Sequence, residues 1–117
     1  MKVLLVEDED NLRKFLKTIL VKSGGFEVQE ASSGADALAL SEKDPVDVLV
    51  TDIVMGGMDG LALAHSMDSR NPNLGVVFIS GHPIDFESQR AHFRRCAFLP
   101  KPFPPKALLD AIARVAV

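Results

Sequence analysis

Five short apolar runs, each rich in β-branched residues, recur along the chain with room for a helix between each pair, and this alternation restricts the fold more than any other feature. The runs are Val3 to Val6, Phe26 to Val28, Val46 to Val50, Val76 to Ile79 and Ala97 to Leu99. Each has strand length and strand composition. Between the first two, Leu12, Phe15, Leu16, Ile19 and Leu20 fall at i, i+3, i+4, i+7 and i+8, which predicts an amphipathic helix capped by Asp10 or Asn11. Near the C-terminus Leu108, Ala111, Ile112 and Val115 repeat the stripe, and Pro104 and Pro105 stand where proline's fixed φ suits a first turn. Three further helices are predicted: Ala35 to Lys43, ended by Pro45; Leu61 to Ser69, ended by Pro72; and Ile84 to about Phe93. The last carries apolar residues that match a helical face only in part, so a short or frayed helix is expected.

Strands alternating with helices imply right-handed βαβ crossovers and a parallel sheet covered on both faces. The run Val46-Asp47-Val48-Leu49-Val50 suits a buried central strand of such a sheet. A chain of 117 residues makes one domain that buries roughly two-thirds of its unfolded surface. The expected domain is therefore 1–117, with no need of a disulfide. The lone Cys96 is expected as a small buried hydrophobe. The net charge of −3 lacks the basic field that nucleic acid or an anionic membrane would require. The N-terminal Met-Lys-Val-Leu-Leu-Val turns acidic at Glu7, too soon for a signal peptide or a span, so a cytoplasmic protein is expected.

A doubly wound sheet places its site in the crevice beyond the carboxyl ends of its strands, where the strand order reverses. The residues at those ends are Glu7 and Asp8 after the first strand, Asp52 after the third, Ser80 after the fourth and Lys101 just after the fifth. The second strand runs into the neutral Ala31-Ser32-Ser33-Gly34. Three carboxylates at one sheet edge repel one another, which raises their pKa values or calls for a divalent cation. A hard, oxygen-preferring ion such as Mg²⁺ fits this donor set, and no Cys or His cluster favours zinc. An aspartate beside such an ion, with a lysine and a hydroxyl from neighbouring strands, is equipped to attack a phosphoryl group and hold the product.

Five segments, in order, resemble the signatures of the response-regulator receiver domains of two-component signalling. They are Leu4-Leu5-Val6-Glu7-Asp8, Thr51-Asp52-Ile53-Val54-Met55, Met58-Asp59-Gly60, Phe78-Ile79-Ser80-Gly81 and Lys101-Pro102-Phe103. Any one match is weak, but five in register with the strand ends are specific. The resemblance covers the whole chain. It implies a flavodoxin-like fold: a five-stranded parallel sheet in the order 2-1-3-4-5 flanked by five helices. Asp52 would be the phosphoacceptor, charged from a phosphohistidine on a sensor histidine kinase or histidine phosphotransfer protein. Asp8, Asp52 and the backbone carbonyl of Val54 would ligate Mg²⁺, with Glu7 acting through water. Lys101 would pair with the phosphoryl oxygens. Ser80 would hydrogen-bond the phosphoryl group and, by moving, draw the ring of Phe98 inward. That motion would switch the α4-β5-α5 surface read by a downstream output protein or domain, with a phosphorylation-dependent dimer as a further expectation. The Lys101-Pro102 peptide would be cis.

Departures from the family pattern carry expectations of their own. Gly56 stands where many members have proline, which predicts a more mobile loop beside Asp52. Val54 and His82 occupy the two positions that modulate phosphoryl lifetime in the family, so an unusual hydrolysis rate is expected. Phe98 lacks a phenol, so packing must carry its signal. Arg90, His92, Arg94 and Arg95 form a local basic patch, either a docking surface or a solvated helix end.

Each residue also has an ordinary structural role open to it: Glu7 and Asp8 at a helix N-terminus, Asp52 capping a turn, Ser80 in a turn, Phe98 in the core and Lys101 in a solvated loop. Their joint placement at strand ends favours the site. Three other readings compete. An aspartyl-phosphate phosphatase generally carries a second acid two residues after the nucleophile, where this chain has Val54. A dinucleotide-binding domain needs a G-x-G-x-x-G that Gly56, Gly57 and Gly60 do not make. A non-phosphorylated pseudo-receiver is a protein-binding module that usually lacks part of the acidic set, which here is complete.

Overall fold

The computed structural model describes residues 1–81 and 86–116. Five parallel strands, β1 Lys2–Val6, β2 Glu27–Ala31, β3 Val48–Asp52, β4 Gly75–Ser80 and β5 Arg95–Pro100, form one sheet in the order β2-β1-β3-β4-β5. Five helices connect or follow them: α1 Asp10–Thr18, α2 Gly34–Lys43, α3 Gly60–Arg70, α4 Phe86–Arg90 and α5 Pro105–Val115. This is the doubly wound α/β architecture expected from the alternation. Successive side chains of a strand point to opposite faces, and the apolar runs fill both. Leu5, Val50 and Val77 pack with Leu16, Leu20, Leu108 and Ile112 of α1, the turn that follows it, and α5. Leu4, Leu49, Val76 and Phe78 pack on the other side with Ala37, Leu63 and Met67 of α2 and α3.

β3 lies in the middle of the sheet and every one of its residues is buried, including Thr51 and Asp52. Its register with β1 pairs Val6 with Thr51, and its register with β4 pairs Asp52 with Ile79. The two pairings bring the ends of β1, β3 and β4 level along one edge of the sheet. β2 starts one residue later than the apolar run and runs on to Ala31, because pairing with the full length of β1 draws Gln29 and Glu30 into the strand. As an edge strand β2 accommodates them: Gln29 donates to Asp44 at 2.8 Å, and Glu30 meets Arg13 and Lys17 at 3.2 and 2.7 Å.

Three helical expectations are corrected. The cap of α1 is Glu9, not Asp10 or Asn11; its extended backbone lets its carboxylate accept from the N–H groups of Asn11 and Leu12 at 3.0 and 2.7 Å. Phe15, placed by periodicity in the buried stripe, is 58% exposed, and α1 passes at its end into a π-helical segment, Ile19–Ser23, closed by the N–H of Gly24 donating to the carbonyl of Ile19. α4 ends at Arg90, earlier than the predicted Phe93. The N–H groups of His92 and Phe93 bond three residues back, ending the helix in a turn, and Ile84 lies outside the described residues. Pro105 opens α5 as expected. Cys96 is only half-buried, because β5 is an edge strand. Among the described residues no helix is long and apolar enough to cross a membrane.

Candidate functional site

The chain direction across the sheet reverses between β1 and β3, and there the acidic residues gather. One carboxylate oxygen from each of Glu7, Asp8 and Asp52 can be chosen so that all three lie within 4.8 Å of one another. Glu7 and Asp52 are buried, at 2% and 7% exposure, and Asp8 is open to solvent. A pocket closed by two buried carboxylates and open through a third suits an ion that keeps part of its water shell, and an all-oxygen donor set suits a hard divalent cation.

Lys101 enters from the end of β5. Its Nζ donates to Asp52 Oδ2 at 2.9 Å and to Glu7 Oε1 at 3.4 Å. Its backbone N–H donates to the carbonyl of Ser80 at 2.9 Å, which ties the lysine to the end of β4. The Lys101-Pro102 peptide is cis. Ser80 is the last residue of β4 and is 1% exposed. The structure therefore brings together Glu7, Asp8, Asp52 and Lys101 and sets Ser80 on the adjacent strand end. Val54 is 55% exposed, and its backbone N–H donates to Asp52 Oδ1 at 3.3 Å. Phe98, on the edge strand β5 in register with Phe78 of β4, is half-buried, its ring 5.4 Å from that of Phe86 in α4. His82 lies outside the described residues.

The electrostatics follow from that crowding. Burial pushes the Glu7 carboxyl up to about 7; the Glu9 N–H on its Oε2 opposes the rise, while the charge of Asp52 and the contact with Asp8 add to it. For Lys101, burial works against the ammonium, but the hydrogen bond and charge of Asp52, joined by Glu7, outweigh it and raise its pKa. One ammonium faces two buried carboxylates and a third at the rim, so the pocket keeps an excess of negative charge available to a cation.

Two residues build the site without having been singled out for it. A Cβ on Gly60 would stand 2.1 Å from the backbone carbonyl oxygen of Asp52, so α3 can start against the aspartate only because that position is glycine. The triplet Met58-Asp59-Gly60 marked the turn but not this contact. Arg13 donates to the backbone carbonyl of Glu7 at 2.8 Å while pairing with Asp10 and Glu30. It thereby pins the β1–α1 turn that aims Glu7 and Asp8, and nothing in its sequence position signals that role. In the neighbouring loop the residue with left-handed backbone is Gly57, at φ +76°, rather than Gly56.

The sequence profile of the response regulator receiver domain matches residues 3–113. The sensor kinase CckA of Brucella abortus is 39% identical over 113 residues, 94% of this chain but only 12% of that protein. The response regulator receiver protein CpdR of the same organism is 32% identical over 117 residues, 99% of this chain and 97% of that protein. The crystal structure of the chemotaxis protein CheY4 of Vibrio cholerae superposes with a TM-score of 0.86 at 29% identity, covering 97% of each chain.

Proposed function

The chain belongs to the response regulator receiver domain family, and from that footing we propose that it is a phosphorelay receiver: Asp52 accepts a phosphoryl group from a histidine kinase or histidine phosphotransfer protein, with Mg²⁺, and the α4-β5-α5 surface passes the signal to an output partner. The observation that carries this reading is the buried Asp52 carboxylate, held 2.9 Å from the Lys101 ammonium and sharing a pocket with Glu7 and Asp8. Asp8, Asp52 and the Val54 carbonyl would hold the ion, with Glu7 behind a water. When bound, the ion supplies charge neutralisation to the transferring phosphoryl oxygens.

The chain's own residues do the rest. An Asp52 carboxylate oxygen attacks phosphorus as the phosphorus–nitrogen bond to the donor imidazole breaks, and the imidazole takes the leaving electron pair. Lys101, kept protonated by its acidic neighbours, stays within reach of the oxygens on which negative charge grows. Ser80 accommodates the product by hydrogen bonding, and its movement frees space toward Phe98. The receiver catalyses only its own phosphorylation and dephosphorylation. The extent 1–117, a cytoplasmic location and a phosphorylation-dependent dimer belong to the same proposal.

Incubation with acetyl phosphate and Mg²⁺, followed by intact-mass measurement, tests it. The wild type should gain one phosphoryl group, and Asp52→Asn should gain none. Absence of an adduct on the wild type would favour a pseudo-receiver, and an undiminished one on the variant would place the phosphoryl group on another residue; either overturns the mechanism. Followed over time, the same adduct reports the phosphoryl lifetime, which substitutions at Val54 or His82 should change.

A further inference from the structure

The face formed by α4, β5 and α5 carries a charge opposite to that of the whole molecule. Two adjoining concavities of about 520 and 290 Å³ open there, and among the described residues their charged lining is Arg90, Arg94, Arg95 and Arg114. The chain as a whole carries −3. Glu87 meets Arg90 at 3.5 Å in an exposed pair, and Arg95 donates to the backbone carbonyl of Asn73 at 3.3 Å. Among the described residues no carboxylate pairs with Arg94, Arg95 or Arg114. Folding has thus altered the patch visible in the sequence. His92 turns edge-on to His65, their rings 5.4 Å apart, while Arg114 arrives from α5 to complete the arginine set. The larger concavity is also lined by Phe86 and Phe98, whose tilted rings supply an apolar surface beside the charges.

We propose that this face binds an acidic amphipathic peptide segment of an output protein. Arginine forks take carboxylates bidentately, and aromatic rings beside them take an apolar side chain, so the groove matches a segment in which acidic and apolar residues alternate. A nucleic acid is the poorer occupant, because the rest of the surface carries the same sign as its phosphates. The proposal deepens the receiver reading and rests on it, since Phe98 lies on the strand whose end presents Lys101.

Fluorescence anisotropy with a labelled peptide of alternating glutamate and leucine tests it, using full-length protein treated with acetyl phosphate and Mg²⁺. A peptide with lysine replacing glutamate and a labelled oligothymidine serve as the competing probes. The glutamate peptide should bind in a salt-sensitive manner. The double variant Arg94→Glu with Arg114→Glu changes two exposed side chains, so the fold should be kept, as circular dichroism can check. It should bind the glutamate peptide at least about tenfold more weakly, the loss expected from reversing two charge-assisted contacts, and should turn to the lysine peptide. Equal binding of both peptides by the wild type, an unchanged affinity in the variant, or a preference for oligothymidine would overturn the proposal. The mass adduct separates the two readings: a phosphorylated protein that ignores the glutamate peptide defeats this inference alone, while a protein that takes no phosphoryl group defeats the receiver reading.

Discussion

Glu7 sits 2% exposed between Asp8, Asp52 and Lys101, and its position governs how the pocket answers to protons. Its ordinary value is 4.5 and the folded pocket raises it to about 7. Between those values the native state holds a proton that the unfolded chain has lost. The metal-free protein must therefore lose stability as pH rises from 4.5 to about 7 and level off above. Lys101 is raised in pKa and stays charged throughout that window, so it adds no slope there. Urea unfolding without divalent ions should show the decline, on the order of 3 kcal/mol, and Glu7→Gln should abolish most of it. A slope unchanged in that variant would assign the proton elsewhere.

At the scale of elements, α1 shows how periodicity and packing part company. Leu16, Ile19 and Leu20 are buried at 1%, 8% and 0%, whereas Phe15 in the same periodic set is 58% exposed. The helix meets the sheet along a stripe narrower than the set of apolar positions, and the π-helical segment shifts the side-chain register at its end. Leu16→Ala should therefore cost ~2–5 kcal/mol in chemical denaturation, while Phe15→Ser should stay within about 0.5 kcal/mol of wild type. Comparable losses at the two positions would place Phe15 in the core after all. α4 illustrates the opposite case: its poor periodicity did announce a short helix, and the five residues from Phe86 to Arg90 carry no buried side chain.

The whole molecule places its acid at the one point where the winding of the sheet reverses, and that arrangement couples stability to a cation. Mg²⁺ should raise the unfolding midpoint, by an amount equivalent to ~2.7 kcal/mol at a hundredfold excess over its dissociation constant. Chelation should reverse the gain, and Asp8→Asn or Asp52→Asn should weaken it; an equal rise in these variants would move the ion to another site. The five strands, their parallel pairing and the strand-end identities of Glu7, Asp52, Ser80 and Lys101 could be read from the chain, because strand runs and crossover lengths are local properties, whereas the order 2-1-3-4-5 was implied by the resemblance to receiver domains. The Glu9 cap, the exposure of Phe15, the close approach of Gly60 to Asp52, the grip of Arg13 on the Glu7 carbonyl and the addition of Arg114 to the arginine face could not. Each depends on how two distant segments are packed against each other, and spacing along a chain records only what one segment can do alone.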